Sequence, residues 1–175
     1  DEYIKQVGAN RVICLPDCED GDIVKKRNWI LNNISKPLIM IDDDVKRITY
    51  TEGGEYFKNN GRAKQMIEFP KSRLEQFFIN GFNLCNEFKA KMWGINCNTD
   101  GRNYQQYKPI SLSQVVLGPF QCHLDHNLLF DNRVGTKDDY DMSLQQLNEF
   151  KKVLRFNKYA YDCEHGDNSG GIVSY

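Results

Sequence analysis

Three consecutive carboxylates, Asp42, Asp43 and Asp44, follow directly on the apolar run Leu38-Ile39-Met40-Ile41, inside the stretch Pro37 to Arg47. Adjacent acids repel one another and cannot all be desolvated as anions without a cation among them, so a divalent metal is their natural partner. Magnesium and manganese take oxygen ligands, and magnesium commonly uses one or two carboxylates and leaves the remaining positions to substrate phosphates. In extended backbone the side chains alternate, so Asp42 and Asp44 share a face and Asp43 points away. The bland alternative is a solvated acidic loop. Position favours the metal: a continuous apolar run reads as a strand buried on both faces of a parallel sheet, and ligands bind at the carboxyl ends of such strands.

A second acid-rich stretch, Asp131 to Asp141, leads into a helix expected from Met142 to about Lys152, with Leu144, Leu147 and Phe150 as its apolar side. Taken alone, Asp139 or Asp141 reads as a helix cap, because acids are favoured at a helix N-terminus. The same field keeps such a carboxylate ionised, which suits a general base only where burial offsets it. His165, in the glycine-rich loop from Glu164 to Gly171, carries no weight by itself but would serve beside a metal as a third ligand.

The elements that must position these groups follow from pattern. Val12 to Leu15 reads as a strand ended by Pro16, followed by a polar turn and a helix capped by Asp20 or Asp22. Ile23, Val24, Ile30, Leu31 and Ile34 make the buried stripe of that helix, and Arg27 falls in its middle. A guanidinium there must reach an anion, either the acidic cluster or a bound phosphate, and a purely structural Arg to Asp bridge fits equally well. Asn28 lies on the edge of the same face. The acidic strand then completes a β-α-β unit.

Further on, Glu52 to Lys71 is glycine-rich, charged and unpatterned. A loop of about twenty residues inside a compact domain is usually functional or disordered, and this one is expected to close as a lid over a ligand. Arg62, Lys64, Lys71 and Arg73 give it a basic tint. Ser72 and Glu75 form a capping-box pattern ahead of a helix reaching about Lys91, whose stripe Leu74, Phe77, Phe78, Phe82, Cys85, Phe88 is core. Met92 to Ile95, Ser111 to Leu117, Phe120 to Leu124 and Arg155 to Tyr161 read as strands, the middle two parted by Gly118-Pro119.

The 175 residues suit one domain, 1–175, with a core of its own. Lys and Arg number 23 against 24 acids, so no global basic field marks a nucleic-acid binder and none excludes a local basic groove. No run approaches a membrane span, and a soluble, reduced, cytoplasmic setting is expected for the six cysteines, which lack any C-x-x-C pair. Cys122, His123, Asp125 and His126 are too crowded for one tetrahedral zinc site and read as a structural cluster.

Arg27-Asn28-Trp29-Ile30-Leu31, Ile41-Asp42-Asp43-Asp44-Val45 and Lys137-Asp138-Asp139-Tyr140-Asp141 with Gln145 resemble the TET/JBP-associated glycosyltransferases within the GT-A group, over about Val12 to Gly171. The group occurs in phages and kinetoplastids and glycosylates hydroxymethylated pyrimidines in DNA. The resemblance implies an α/β fold of GT-A, Rossmann-like type, with a mixed, mainly parallel sheet flanked by helices. It implies a manganese or magnesium ion and a nucleotide sugar, UDP-hexose, as donor, with a DNA hydroxymethylpyrimidine as acceptor, in the host cytoplasm if the source is viral. Position by position, Asp42 and Asp44 would hold metal and ribose, with Asp43 the alternative ligand. Arg27 and Asn28 would meet the diphosphate or base, Asp141 or Asp139 would deprotonate the acceptor in an inverting transfer, and His165 would close the metal sphere. In one respect the chain departs from the pattern: it is expected to open after the first β-α unit, which grips the base. Two rival readings stand beside this one, a metal-dependent nucleotidyltransferase or nuclease, with two metals held by paired acids, and a silent binding module on the same fold.

Overall fold

A computed structural model describes residues 2–19, 21–51, 66–101 and 104–163. These fall into two compact units, 1–34 and 35–175, each considered by itself.

The first unit carries helices α1, Glu2–Val7, and α2, Ile23–Asn33. Asp22 starts α2 by accepting a hydrogen bond from the Val24 N–H at 2.8 Å, which satisfies one of the open donors of the first turn. Val24, Arg27 and Leu31 are buried, so the arginine does sit in the apolar stripe, while Ile23 is exposed. Val12 to Leu15, expected to open as a strand ended by Pro16, take no regular structure, and Ile13 and Cys14 are exposed. A β-branched run forms a strand only where a neighbour pairs with it, and none of the described residues does so here; among them the expected β-α-β opening is therefore not built.

The second unit is organised on a seven-stranded sheet. In chain order its strands are β1 Leu38–Ile41, β2 Val45–Tyr50, β3 Ile67–Glu68, β4 Met92–Asn96, β5 Ile110–Ser111, β6 Phe120–His123 and β7 Leu154–Cys163. They lie in the order β1-β6-β4-β7-β2-β3, with β5 also paired to β7. Only the β4 to β7 pairing is parallel, so the sheet is mixed and mostly antiparallel rather than mainly parallel. The misreading began at β1. It is an edge strand that buries Leu38 and Met40 and exposes Ile39 and Ile41. Four apolar residues in a row do not by themselves distinguish one buried face from two.

One feature of the mainly parallel expectation survives. Because β1 and β4 each run antiparallel to β6, and β7 runs parallel to β4, the carboxyl ends of β1, β4 and β7 all lie on one edge of the sheet. Asp42 follows β1 there, Cys97 follows β4, and Tyr161 to Cys163 finish β7.

Two helices serve this sheet: α3, Leu74–Glu87, and α4, Asp138–Phe150. The α3 stripe is core as expected, with Phe77 and Cys85 buried and Phe77 and Phe82 meeting Trp93 edge-on at 5.7 and 5.6 Å between centroids. Gly81 makes that approach possible, since a Cβ there would come within 2.3 Å of the indole. The Ser72/Glu75 capping box does not form, because Lys71–Arg73 is a 3-10 turn running straight into α3 with no side-chain cap. The helix ends at Glu87, short of Lys91, as Lys89 turns to φ 56 and the Ala90 N–H returns to the Cys85 carbonyl.

Residues 52–65 of the expected lid lie outside the described residues, as does its basic pair Arg62 and Lys64. Its last part is anchored: β3 pairs with β2, and Phe69 is buried among Tyr50, Phe77 and Tyr159 at 5.2–5.8 Å. The expected strand Ser111 to Leu117 shrinks to β5. α4 starts at Asp138, earlier than expected, and turns Asp138, Met142, Ser143 and Gln146 inward while leaving Leu144 59 % exposed. No disulfide joins the six cysteines, and no helix among the described residues is long and apolar enough to cross a membrane.

Candidate functional site

The acidic turn is pinned by its backbone. The Asp42 N–H donates to the Pro119 carbonyl at 3.1 Å, and the Val45 N–H closes the turn onto the Asp42 carbonyl at 3.2 Å. Asp42 and Asp44 are half-buried and Asp43 is exposed, the partition expected from alternation. Val45 pairs with Cys163 across β2 and β7, which brings the thiol to the carboxylate of Asp44. Burial, and then the charge of Asp44 and the hydrogen bond donated to it, push the Cys163 thiol up to about 12. It therefore stays protonated as a donor that helps hold Asp44.

Residues 114–119 form a strap between β4 and α4. The Val116 N–H donates to Ser143 Oγ at 3.0 Å, and that hydroxyl donates back to the Val116 carbonyl at 3.0 Å. Two residues on, the Gly118 N–H donates to Asp139 Oδ2 at 3.1 Å. Gly94 gives the strap room, because a Cβ on it would stand 2.3 Å from a Val116 methyl and 2.8 Å from the Phe120 carbonyl oxygen. The strap thus ties Asp139 and Asp42 through neighbouring residues. Tyr161, 3 % exposed, lies within reach of both: burial first, then Cys97, Cys163, Asp139 and Asp42, push its hydroxyl well above the usual phenol range.

Neither Asp139 nor Asp141 caps α4 in the expected way. Lys137 occupies the cap position without a side-chain bond, and Asp139 spends its second oxygen on the adjacent Tyr140 N–H at 2.7 Å. Asp141 Oδ2 accepts from Gln145 Nε2 at 2.5 Å, one turn along the helix, and the same amide donates to the Leu129 carbonyl at 2.9 Å. The carboxylate is thereby oriented from behind while remaining half-buried. Nearby, the exposed Arg133 guanidinium holds the Asp131 carboxyl down to about 2.

The histidines of the Cys122 to His126 cluster are engaged on all four ring nitrogens. The Leu128 N–H donates to His126 Nδ1, so the proton of a neutral His126 sits on Nε2, which meets His123 Nδ1 at 2.9 Å. His123 then carries its proton on Nε2, facing Gln121 Oε1 at 3.3 Å, and Gln121 Nε2 donates to the strap carbonyl of Val116 at 3.2 Å. Burial first, then Lys36, lower His126 to about 4, consistent with a neutral His126 in a structural chain.

The structure thus brings Asp42, Asp44 and Asp139 to one edge, with Asp141 two residues along α4. Arg27 and Asn28 belong to the first unit, where Arg27 is buried and Asn28 half-buried. His165 lies outside the described residues. Among the described residues no three of His, Cys, Asp and Glu gather as a metal site. Sequence reasoning missed Gly118-Pro119, read only as a break, and Tyr161 with Cys163. The last two share a face of β7 by simple alternation, and that was the available signal.

The family model described as TET-Associated Glycosyltransferase matches residues 1–171. No curated protein and no solved structure matches the chain.

Proposed function

The chain belongs to the TET-Associated Glycosyltransferase family, and on that footing we propose that it moves a hexose from a uridine diphosphate sugar to the hydroxyl of a hydroxymethylpyrimidine in DNA. The observation that carries the reading is the strap: it fastens the acidic turn and the acidic start of α4 to neighbouring residues at one sheet edge. Donor chemistry and acceptor chemistry need to be adjacent, and a support shared by Asp42 and Asp139 is what such a reading requires.

In this reading Asp42 and Asp44 hold manganese or magnesium, with Asp43 as the alternative ligand and His165 as a further one. Two half-buried carboxylates form an all-oxygen donor set that leaves positions for phosphate oxygens, which fits such an ion. When bound, the ion offsets charge that the leaving diphosphate gains. Within the first unit, Arg27 and Asn28 are the candidates for contacting a diphosphate or a base. Asp141 takes the proton of the acceptor hydroxyl as its oxygen bonds to the anomeric carbon and the bond from that carbon to the diphosphate oxygen breaks, inverting the centre. Asp139 is the alternative base, though the Gly118 and Tyr140 N–H groups already occupy its oxygens and make it the weaker candidate.

Calorimetric titration of a panel of nucleotide sugars, with and without manganese, tests the donor half. Manganese should tighten a uridine diphosphate sugar at least tenfold in the parent and not in Asp44→Asn. Equal affinity in both proteins would remove the metal from Asp42 and Asp44.

A further inference from the structure

A polar cleft of about 190 Å³ opens beside the strap and is lined by Asn96, Gln105, Lys108, Gln114, Arg155 and Asn157. Its floor is the Arg155 guanidinium, which donates to Gln114 Oε1 at 2.6 Å, Asn157 Oδ1 at 2.9 Å and the Val115 carbonyl at 3.4 Å. Every one of these partners is neutral. Among the described residues no carboxylate pairs with Arg155, and burial lowers its pKa. A half-buried cation that the described residues leave without an anion is an unfavourable arrangement unless something else supplies the charge.

The orientation of the two amides follows from the same contacts. A guanidinium only donates, so Gln114 and Asn157 must each turn an oxygen toward it and an NH₂ group away. Asn157 uses one of those hydrogens on the Lys108 carbonyl, at 3.2 Å. Two of the lining amides, Gln114 and Asn157, thus turn N–H groups away from Arg155, the exposed Lys108 and the phenol Tyr104 line the same cleft, and none of its lining residues is a carboxylate. That is a lining for an oxyanion. Arg155 holds Gln114 and the Val115 carbonyl, at the start of the same strap whose Gly118 and Pro119 hold Asp139 and Asp42, so the cleft and the acidic residues share one support.

We propose that this cleft binds a phosphate oxyanion, and that the phosphate is a backbone phosphodiester of the polynucleotide acceptor, held next to the site so that the target nucleotide is presented to it. The assignment to a polynucleotide rests on the function proposed above; the assignment of an anion rests on Arg155 and its neighbours alone. A single cleft of this kind fits a chain with no global basic field, where phosphate contacts position the strand without reading its sequence.

The test uses the full chain and a short single-stranded DNA oligonucleotide carrying one hydroxymethylpyrimidine, followed by fluorescence anisotropy across a salt series. Uridine diphosphate affinity is measured in parallel. Two variants spare Arg155, whose bond to the Val115 carbonyl supports the strap: Lys108→Ala, at an exposed position, and Gln114→Glu, which gives Arg155 an anion of its own. Both should weaken the oligonucleotide about fivefold or more and lower the slope of log affinity against log salt by about 0.7 for each phosphate that the variant no longer neutralises. Uridine diphosphate affinity should be unchanged. If both variants bind the oligonucleotide as the parent does, the cleft proposal is overturned and the acceptor reading stands. Loss of uridine diphosphate affinity instead would also overturn it, by giving the cleft to the donor. A parent that binds no oligonucleotide at any salt would overturn the acceptor reading and this proposal with it.

Discussion

Asp42 and Asp139 are fastened to consecutive residues of one strap: the Asp42 N–H donates to the Pro119 carbonyl and the Gly118 N–H donates to Asp139 Oδ2, each at 3.1 Å. A turn at the end of an edge strand and the first turn of a helix nearly a hundred residues later are thereby held to a common support. The carboxylate of Asp139 then has a structural task, which separates it from Asp141, whose Oδ2 accepts from the Gln145 amide.

The first expectation concerns that tether. Asp139→Ala removes the acceptor of both the Gly118 and Tyr140 N–H groups and should destabilise the protein by about 1–2 kcal/mol, a usual range for hydrogen bonds to a charged group that is partly buried. Urea unfolding of parent and variant reads this directly. A change below about 0.5 kcal/mol, the level of ordinary surface substitutions, would mean the tether contributes nothing.

Gly94→Ala probes the other side of the strap. The added methyl would meet Val116 and the Phe120 carbonyl at 2.3 and 2.8 Å, so either strand or strap must shift. Overpacking of this kind costs about 1–3 kcal/mol. The same variant should weaken manganese-dependent nucleotide binding, since the strap also positions Asp42. Full retention of both stability and binding would show the strap to be adaptable.

The histidine chain predicts a pH dependence whose sign is fixed. His126 is lowered from 6.5 to about 4, by burial and then Lys36, with Asp125 opposing and Lys91 adding. Between these values the unfolded chain binds the proton and the folded chain does not, so stability is full above about pH 6.5 and falls as pH drops toward 4. The loss attributable to His126 is at most about 3 kcal/mol. His126→Gln should flatten the stability difference between pH 7.5 and pH 5 relative to the parent in urea unfolding. Parallel pH profiles would mean that His126 titrates normally.

The parts of the fold legible in the sequence were those with a clear period and length: α3 with its aromatic stripe, β4, and the β7 region. What misled was local. The run Leu38 to Ile41 carries no information about how many of its faces are covered, and that one ambiguity produced the mainly parallel sheet. Val12 to Leu15 has strand composition but, among the described residues, no strand to pair with. On α4, Leu144 was expected in the core but is exposed, while Ser143 and Gln146 are buried and Ser143 bonds Val116. The acids stood out by type and position, and the structure holds Asp42 and Asp139 on one strap. The cleft around Arg155 was not, since its residues come from β4, β5-flanking loops and β7 and carry no sequence motif.

Asp141→Asn is the most direct test of sugar transfer at this site. The substitution keeps side-chain size and an oxygen for the Gln145 amide, so fold and donor affinity should persist while the proton acceptor is lost. The measurement is mass-spectrometric turnover of a hydroxymethylpyrimidine oligonucleotide with a uridine diphosphate sugar and manganese, paired with donor affinity. The account predicts parent-like affinity with turnover down at least about 10²-fold, the lower bound for losing a general base. Turnover within about threefold of the parent would contradict it and pass the role to Asp139.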